Sequence, residues 1–346
     1  MSIDLDILNP MTYAGWDDLV LASGRGSFFH SSYWARVLHE SYGYKPVYFA
    51  SIKDRSLEAL IPFMEINSPI TGKRGVSLPF TDYCEPVIPD GSDAGNMLDD
   101  VIQFGKKSGW KYAELRSGNS LHREPQPSAE YYGHVLDIAK EEKAVFSGFR
   151  ESTKRNIKKA EKEGVQVTIS GSIESVKEFY RLNCMTRKVH GLPPQPFRFF
   201  ENIYKYILSK GQGIVALAGC NGKVIAGGVY FHFGGEAIYK YGASDNRYQN
   251  LRANNLVMWE AIKHYSAKGL KAFYFGRTEP ENNGLLQFKR GWGCKEYAVN
   301  YYKYDMRREA YVSDLSLLHG FHNRVFSNMP LPFLKFSGSL LYRHLG

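Results

Sequence analysis

The side chains able to do chemistry in this chain are mostly cations, set where an anion could meet them. Residues 285–290 read as a short amphipathic segment that carries Lys289 and Arg290 and is stopped by Gly291 and Gly293. A polar loop at 276–284 precedes it and carries Arg277 and Glu279, able to pair with each other or to hold substrate. Further back, Lys154, Lys158 and Lys162 recur at i, i+4 and i+8 and stack on one face of a helix, with Arg155 among them. Each such like-charge pair costs roughly a few tenths of a kcal/mol, which an anion lying along that face would remove. The plainer alternative is a solvated surface helix in which Lys159 pairs with Glu163. Arg252, just ahead of another helix, can meet a phosphate directly. His190 lies in a loop before Gly191-Leu192-Pro193-Pro194, as a base or as plain polar surface. Tyr239 and Tyr241, two apart on a strand, share one face of it. In the first half, Arg36 follows Tyr33-Trp34, and Asp82 and Tyr83 stand in a loop at 79–86.

Several chemistries find no support. There is no G-x-S-x-G, no H-E-x-x-H, no Walker loop and no Cys–His signature. The four cysteines are scattered without a C-x-x-C pair, which suits a reducing compartment. Metal and covalent catalysis are therefore not expected. The 346 residues suggest two domains, and the net charge of +9 (44 basic, 35 acidic) fits either a mildly basic solvated surface or an anionic partner: nucleotide, tRNA, lipid pyrophosphate or membrane. The N-terminus has neither the basic nor the apolar region of a signal peptide, and no apolar run approaches the roughly 20 residues of a membrane span.

The elements that must position these groups occur twice. In the first half, strands at 45–52 and 57–66 meet at a hairpin, a strand follows at 76–78, then a helix at 93–108 ended by Gly109 and a strand at 111–115. In the second, strands at 214–218, 224–233 and 236–241 turn at Asn221-Gly222 and Gly234-Gly235; a helix at 254–268 ends at Gly269 and a strand follows at 271–275. The helix-ending glycines 109 and 269 align at an offset of 160. Helices are also expected at 152–163, 173–188 and 196–209. Residues 311–328 and 333–345 read as helices of a tail broken at Met329-Pro330-Leu331-Pro332. The second of these either packs back on the N-terminal half or lies on an anionic membrane surface.

The run Gly284-Leu285-Leu286-Gln287-Phe288-Lys289-Arg290-Gly291-Trp292-Gly293 resembles a motif of the FemABX peptidyl and aminoacyl transferases, Gly-Leu-x-x-Phe-Lys-x-x-Phe-Gly, with Trp in the second aromatic place. The basic run Arg155-Asn156-Ile157-Lys158-Lys159-Ala160 is similar to one that relatives carry, and the flavour is that of the FemAB-like group found near exopolysaccharide and exosortase genes. A three-strand meander followed by a helix and a central strand is also the element order of the GNAT acyltransferase fold. The resemblance implies an α+β chain of two tandem GNAT-like domains, 1–144 and 145–306, with a helical tail at 307–346. It implies an N-acyltransferase that moves an aminoacyl or acyl group to an amine of a cell-envelope precursor or amino sugar, in peptidoglycan or exopolysaccharide biosynthesis. Lys289, at the family's Phe-Lys position, would then stabilise charge on a carbonyl or phosphate, Tyr241 would be an acid, and Phe288 would pack in the core or bind substrate. Arg36, Asp82, Tyr83, Lys154, Arg155 and Lys158 would hold an anionic or lipid-linked substrate. GNAT enzymes cradle CoA pyrophosphate on a glycine-rich helix start. The matching place here is 249–254, where Arg252 stands for the middle glycine, so the donor is aminoacyl-tRNA or acyl-CoA and no tightly bound cofactor is expected. The setting would be cytoplasmic, at the inner face of the membrane. Two other classes stand beside this: a non-catalytic module that binds an anionic glycan or lipid precursor, and a nucleic-acid binder, for which the basic helix lacks interleaved aromatics.

Overall fold

The computed structural model describes residues 4–89, 94–116, 126–313 and 321–346. The chain forms two compact units. The first holds Met1–Tyr132, Ala298–Ser316 and Leu341–Gly346; the second holds Gly133–Tyr297 and Leu317–Leu340. The sequence reading divides the chain continuously at 144 and 306, whereas these units are discontinuous and two of their boundaries fall inside strands.

In the first unit, β1 (Asp6–Leu8), α1 (Trp16–Ala22) and α2 (Ser32–Tyr42) lead into a meander of β2 (Lys45–Lys53), β3 (Ser56–Ser68) and β4 (Gly72–Val76). Helix α3 (Ala94–Ser108) and β5 (Tyr112–Leu115) follow. The meander is antiparallel, and β4 pairs parallel with β5. The hairpin turn between β2 and β3 places Asp54 and Arg55 at φ 49° and 62°, the double left-handed conformation that a two-residue hairpin requires. The core gathers Phe49, Phe63, Val101, Trp110 and Tyr302 between α3 and the sheet.

Strand β6 (Ala129–Asp137) leads into the second unit, where α4 (Glu142–Ser147), α5 (Glu151–Lys162), β7 (Gln166–Ser170), α6 (Ile173–Val189) and α7 (Phe197–Tyr206) precede a second meander. It consists of β8 (Gly213–Cys220), β9 (Lys223–Phe233) and β10 (Glu236–Ser244), followed by α8 (Ala253–Ala267), β11 (Ala272–Thr278), α9 (Asn283–Arg290) and β12 (Lys295–Asp305). Here too the meander is antiparallel and its last strand, β10, pairs parallel with the strand after the helix, β11. The repeat read from element order is thus present in the pairing. Helix α8 is buried on most of its surface, from Ala253 through Trp259 to Tyr265, because it is the central helix of this unit's core. Gly269, at φ 79°, ends it in the left-handed conformation that favours glycine.

The tail departs from the expected long helix at 311–328. Ala310–Tyr311 is a short strand, β13, paired with β12; residues 314–320 of the expected helix lie outside the described residues. Helices α10 (Phe321–Asn328) and α11 (Leu331–Leu341) follow. Within the second unit Gly338 of α11 sits so close to the Pro194 carbonyl that a β-carbon would collide with it. Within the first unit Tyr44 donates to the Tyr342 carbonyl at 2.9 Å and Arg74 to the Gly346 carbonyl oxygen at 3.0 Å. Among the described residues no helix is long and apolar enough to cross a membrane.

Candidate active site

The second unit carries a cleft of about 490 Å³ whose strand side is formed by β9 and β10, beside the point where the pairing of β10 with β11 stops. The parallel pairing of β10 with β11 runs from Glu236↔Ala272 to Ile238↔Tyr274 and stops, although both strands continue. One residue later β10 bulges against β9: Tyr239 faces Tyr230, Tyr241 faces Val229, and Lys240 is the extra residue. A one-residue bulge turns the side chains beyond it to the other face of the sheet. Tyr239 and Tyr241 therefore do not share a face, contrary to the period-two expectation. Tyr239 lies against Tyr230 in the cleft, with ring centroids 5.4 Å apart, and Tyr241 packs edge-on against Phe199 and Phe200 of α7.

Five elements wall the cleft. Strands β9 and β10 supply Gly227, Tyr230, Tyr239 and Ser244; the start of α8 supplies Arg252, Ala253, Asn254 and Asn255. Helix α5 adds Ser152, Thr153 and Asn156, and α9 adds Gly284, Leu285, Gln287 and Phe288. Burial pushes the Tyr239 phenol up to about 12 and the Tyr230 phenol well above its ordinary range, so both stay protonated near neutrality. The Tyr230 hydroxyl is fully buried and makes no hydrogen bond, and a β-carbon at Gly228 would press against it. Buried hydroxyls without a partner are costly, and this one is sealed against the backbone at Gly228. Asp245 is the carboxylate of the lining; the hydrogen bond from Arg247 comes first among the causes that hold its pKa low, with contacts at 3.0 and 2.6 Å. Among the described lining residues there is no histidine.

Helix α8 begins at the cleft with no side chain capping it. Its first N–H groups and the positive end of the helix dipole are the usual means of holding an anion. Arg252 adopts φ 59° at the N-cap, an uncommon conformation for a residue with a β-carbon, and its side chain is exposed at the cleft.

The motif helix α9 turns two faces to different tasks. Gly284, Leu285, Gln287 and Phe288 face the cleft; Leu286 and Lys289 are buried on the other side. Lys289 is 2 % exposed and donates to the Gly276 and Arg277 carbonyls at 3.0 Å each, closing the end of β11. It does not line the cleft, so the expected partner, a substrate carbonyl or phosphate, gives way to main-chain carbonyls. Trp292 is buried among Phe149, Phe275 and Phe288. Gly291 permits the close approach of α9 to Thr153, whose hydroxyl a β-carbon would meet, and the Gly291 carbonyl accepts from Arg150 N at 2.9 Å. The glycines of the motif thus dock α9 onto the start of α5.

The remaining candidates lie elsewhere. Lys154 pairs with Glu151 at 2.8 Å, and Arg155 and Lys158 are exposed. At about 100° per residue, the row Lys154, Lys158 and Lys162 points away from the side of α5 that carries Ser152 and Asn156. His190 is exposed at the end of α6, Glu279 is exposed after β11, and Arg277 is half-buried on β11; none lines the cleft. In the first unit, Arg36 donates to the Met11 carbonyl at 2.7 Å, the Asp82 carbonyl accepts from the Tyr301 hydroxyl at 2.7 Å, and Tyr83 lies edge-on to Phe29. Of the expected site residues the cleft therefore brings together Arg252 and Phe288. Sequence reasoning missed Tyr230 and the cleft face of α5. The signal for Tyr230 was Gly227-Gly228 inside a strand, which marks a close approach or a bulge.

Residues 147–290 match the acetyltransferase (GNAT) domain family, and that stretch contains every residue that lines the cleft. Over 79 residues the chain is 34% identical to the lipid II:glycine glycyltransferase of Staphylococcus haemolyticus, which covers 21% of this chain and 19% of that protein. The match thus spans about a fifth of the curated relative's length. Among solved structures, the fold is similar to that of FemX, with a TM-score of 0.67 at 15% identity over 84% of this chain and 95% of the other. It is also similar to a tandem GNAT protein from the clavulanic acid biosynthesis pathway, with a TM-score of 0.56 at 9% identity over 88% and 99%. The chain has the tandem GNAT fold, and its resemblance to the FemABX transferases extends from the motif at 284–293 to the architecture.

Proposed function

We propose that the protein is an N-acyltransferase of the FemAB type, which transfers an aminoacyl or acyl group to an amine of a cell-envelope precursor or amino sugar. The observation that carries this reading is the cleft at Tyr239, just past the last β10–β11 pair, with an uncapped helix start at one side and the motif helix at another. In this reading the phosphate-bearing end of the donor meets the start of α8 and Arg252. The acyl carbonyl lies at the bulge. The amine attacks the carbonyl carbon, the bond from carbon to the leaving oxygen or sulfur breaks, and the leaving atom takes a proton. In this reading the Tyr239 phenol, which lines the cleft, gives that proton to the leaving atom and recovers one from the attacking nitrogen, so that the amine becomes an amide and the phenol is restored. Lys289 acts indirectly, by fixing the end of β11 beside α9.

Aminoacyl-tRNA is the donor we favour over acyl-CoA. A guanidinium side chain at position 252 occupies the approach where backbone alone would receive a pyrophosphate, while it suits a single phosphate of a nucleic-acid end. The name of the glycyltransferase relative supports a lipid-linked acceptor for that protein; by analogy this chain would work at the inner face of the cell membrane.

One observation keeps a second class in view. Asp245, the carboxylate of the cleft, is already engaged by Arg247, which suits a module that binds an anionic glycan or lipid precursor without turnover. Incubation of the purified chain with aminoacyl-tRNA or acyl-CoA and amine acceptors, read by mass spectrometry, separates the two. Acyl transfer that weakens in Tyr239→Phe is the expected result. Saturable binding of the acceptors with no transfer from either donor would establish the binding module instead.

A further inference from the structure

Helix α11 is built inside out for a helix on the surface of a water-soluble unit. Its buried residues are Leu334 and Gly338, with Gly338 against Pro193 and Pro194 and Lys335 over the Tyr180 ring at 5.4 Å. The opposite face is apolar and uncovered: Phe333 is 65% exposed, Phe336 63% and Leu340 52%. Their spacing, i, i+3 and i+7, puts the three side chains within one narrow arc. Val325, on α10, is 50% exposed as well. Apart from Val189, all exposed large apolar side chains of the second unit, among the described residues, lie on these two helices. A contiguous patch of this kind marks a surface that something covers, unlike single exposed apolar residues.

Charge narrows what covers it. Downstream of Asp314 the chain contains no Asp or Glu, and the charged residue of α11 is the cation Lys335. An acid-free helix with aromatic side chains on its outward face matches the interface of an anionic lipid bilayer, where rings sit among headgroups and cations meet phosphates. We propose that α11 is a membrane-docking element, which seats Phe333, Phe336 and Leu340 in the headgroup region of an anionic bilayer. The inference rests on the exposed face and its charge, and stands apart from the acyl-transfer reading.

Co-sedimentation of the full chain with lipid vesicles tests it without donor or acceptor. The native protein should bind vesicles that contain about a third phosphatidylglycerol, and about tenfold less well to phosphatidylcholine alone. Replacing all three outward residues (Phe333→Ser, Phe336→Ser, Leu340→Ser) should reduce binding about a hundredfold with an unchanged melting temperature. Phe336→Trp, which keeps an interfacial ring, should bind as the native chain does. Equal binding by native and triple-substituted protein, or no binding of the native protein to anionic vesicles, would overturn the proposal. So would a concentration-dependent dimer that the triple substitution abolishes while vesicles are ignored, since the face would then be covered by a second copy.

Discussion

The same succession of meander, helix and parallel strand is used in opposite ways by the two units. In the second, the link from β10 to α8 is a short stretch around the 3-10 turn Asn246–Leu251, and the start of α8 opens into a 490 Å³ cleft. In the first, the link from β4 to α3 is longer and turns inward. Leu78 and Phe80 take φ 55° and 61°, strained values for side chains of their size. Phe80 packs against Tyr42, Tyr44 and Tyr342, and Thr81 is buried. A cavity in this unit, walled by Phe63, Leu98 and Tyr302, holds about 20 Å³. Among the described residues the repeated fold therefore carries two different links: one leaves the start of its helix open to a cleft, and the other folds its side chains into the core.

The contrast can be broken by filling the cleft. Gly284 faces it, and no atom lies within 4 Å of the point where a β-carbon would stand, so Gly284→Trp should occupy the space without disturbing the core. Acyl transfer should fall by about a thousandfold or more, with thermal unfolding unchanged, as measured in a transfer assay beside a melting curve. The next largest effect is on stability. Lys289→Met leaves two main-chain carbonyls without their donor and should cost about 2–4 kcal/mol in urea unfolding, while transfer per folded molecule persists. A variant of native stability with no activity would return Lys289 to the chemistry.

The bulge in β10 predicts that two tyrosines two residues apart behave differently. Tyr239→Phe should slow transfer about ten- to a hundredfold, and Tyr241→Phe less than about twofold. Because burial raises the Tyr239 phenol to about 12, its active, protonated form persists through neutral and mildly alkaline pH. Its contribution should be lost only as pH rises toward that value, so the native rate should show no alkaline fall from this group below pH of about 10. The smallest effect belongs to Arg252→Gly. Removing a β-carbon from φ 59° should raise stability by about 1 kcal/mol, and removing the guanidinium should weaken a phosphate-bearing donor about tenfold.

Much of this architecture was legible because glycines punctuate it. Gly109 and Gly269 end the two repeat helices, and the Asn221-Gly222 turn fixes the register of β8 with β9. The site was legible only as a region. The motif located α9, yet Leu285/Phe288 and Leu286/Lys289 are both apolar-led pairs at i and i+3, and periodicity cannot say which pair meets solvent and which the core. The Lys154–Lys162 row is a true face of α5, but Thr153, Ile157 and Ala160 are the buried one, and the cleft borders its other flank. Tyr241 was misplaced by one inserted residue, which no alternation of side chains announces. The outward apolar face of α11 was visible as composition; only packing of Gly338 on the prolines shows which side is left over.

The central claim, that the cleft of the second unit receives the acyl donor, is tested most directly by calorimetric titration. Aminoacyl-tRNA and acetyl-CoA would each be titrated into the native protein and into Gly284→Trp. Micromolar binding of one donor by the native protein, abolished in the folded variant, is the predicted result. Equal affinity in both proteins would put the donor outside this cleft and contradict the account.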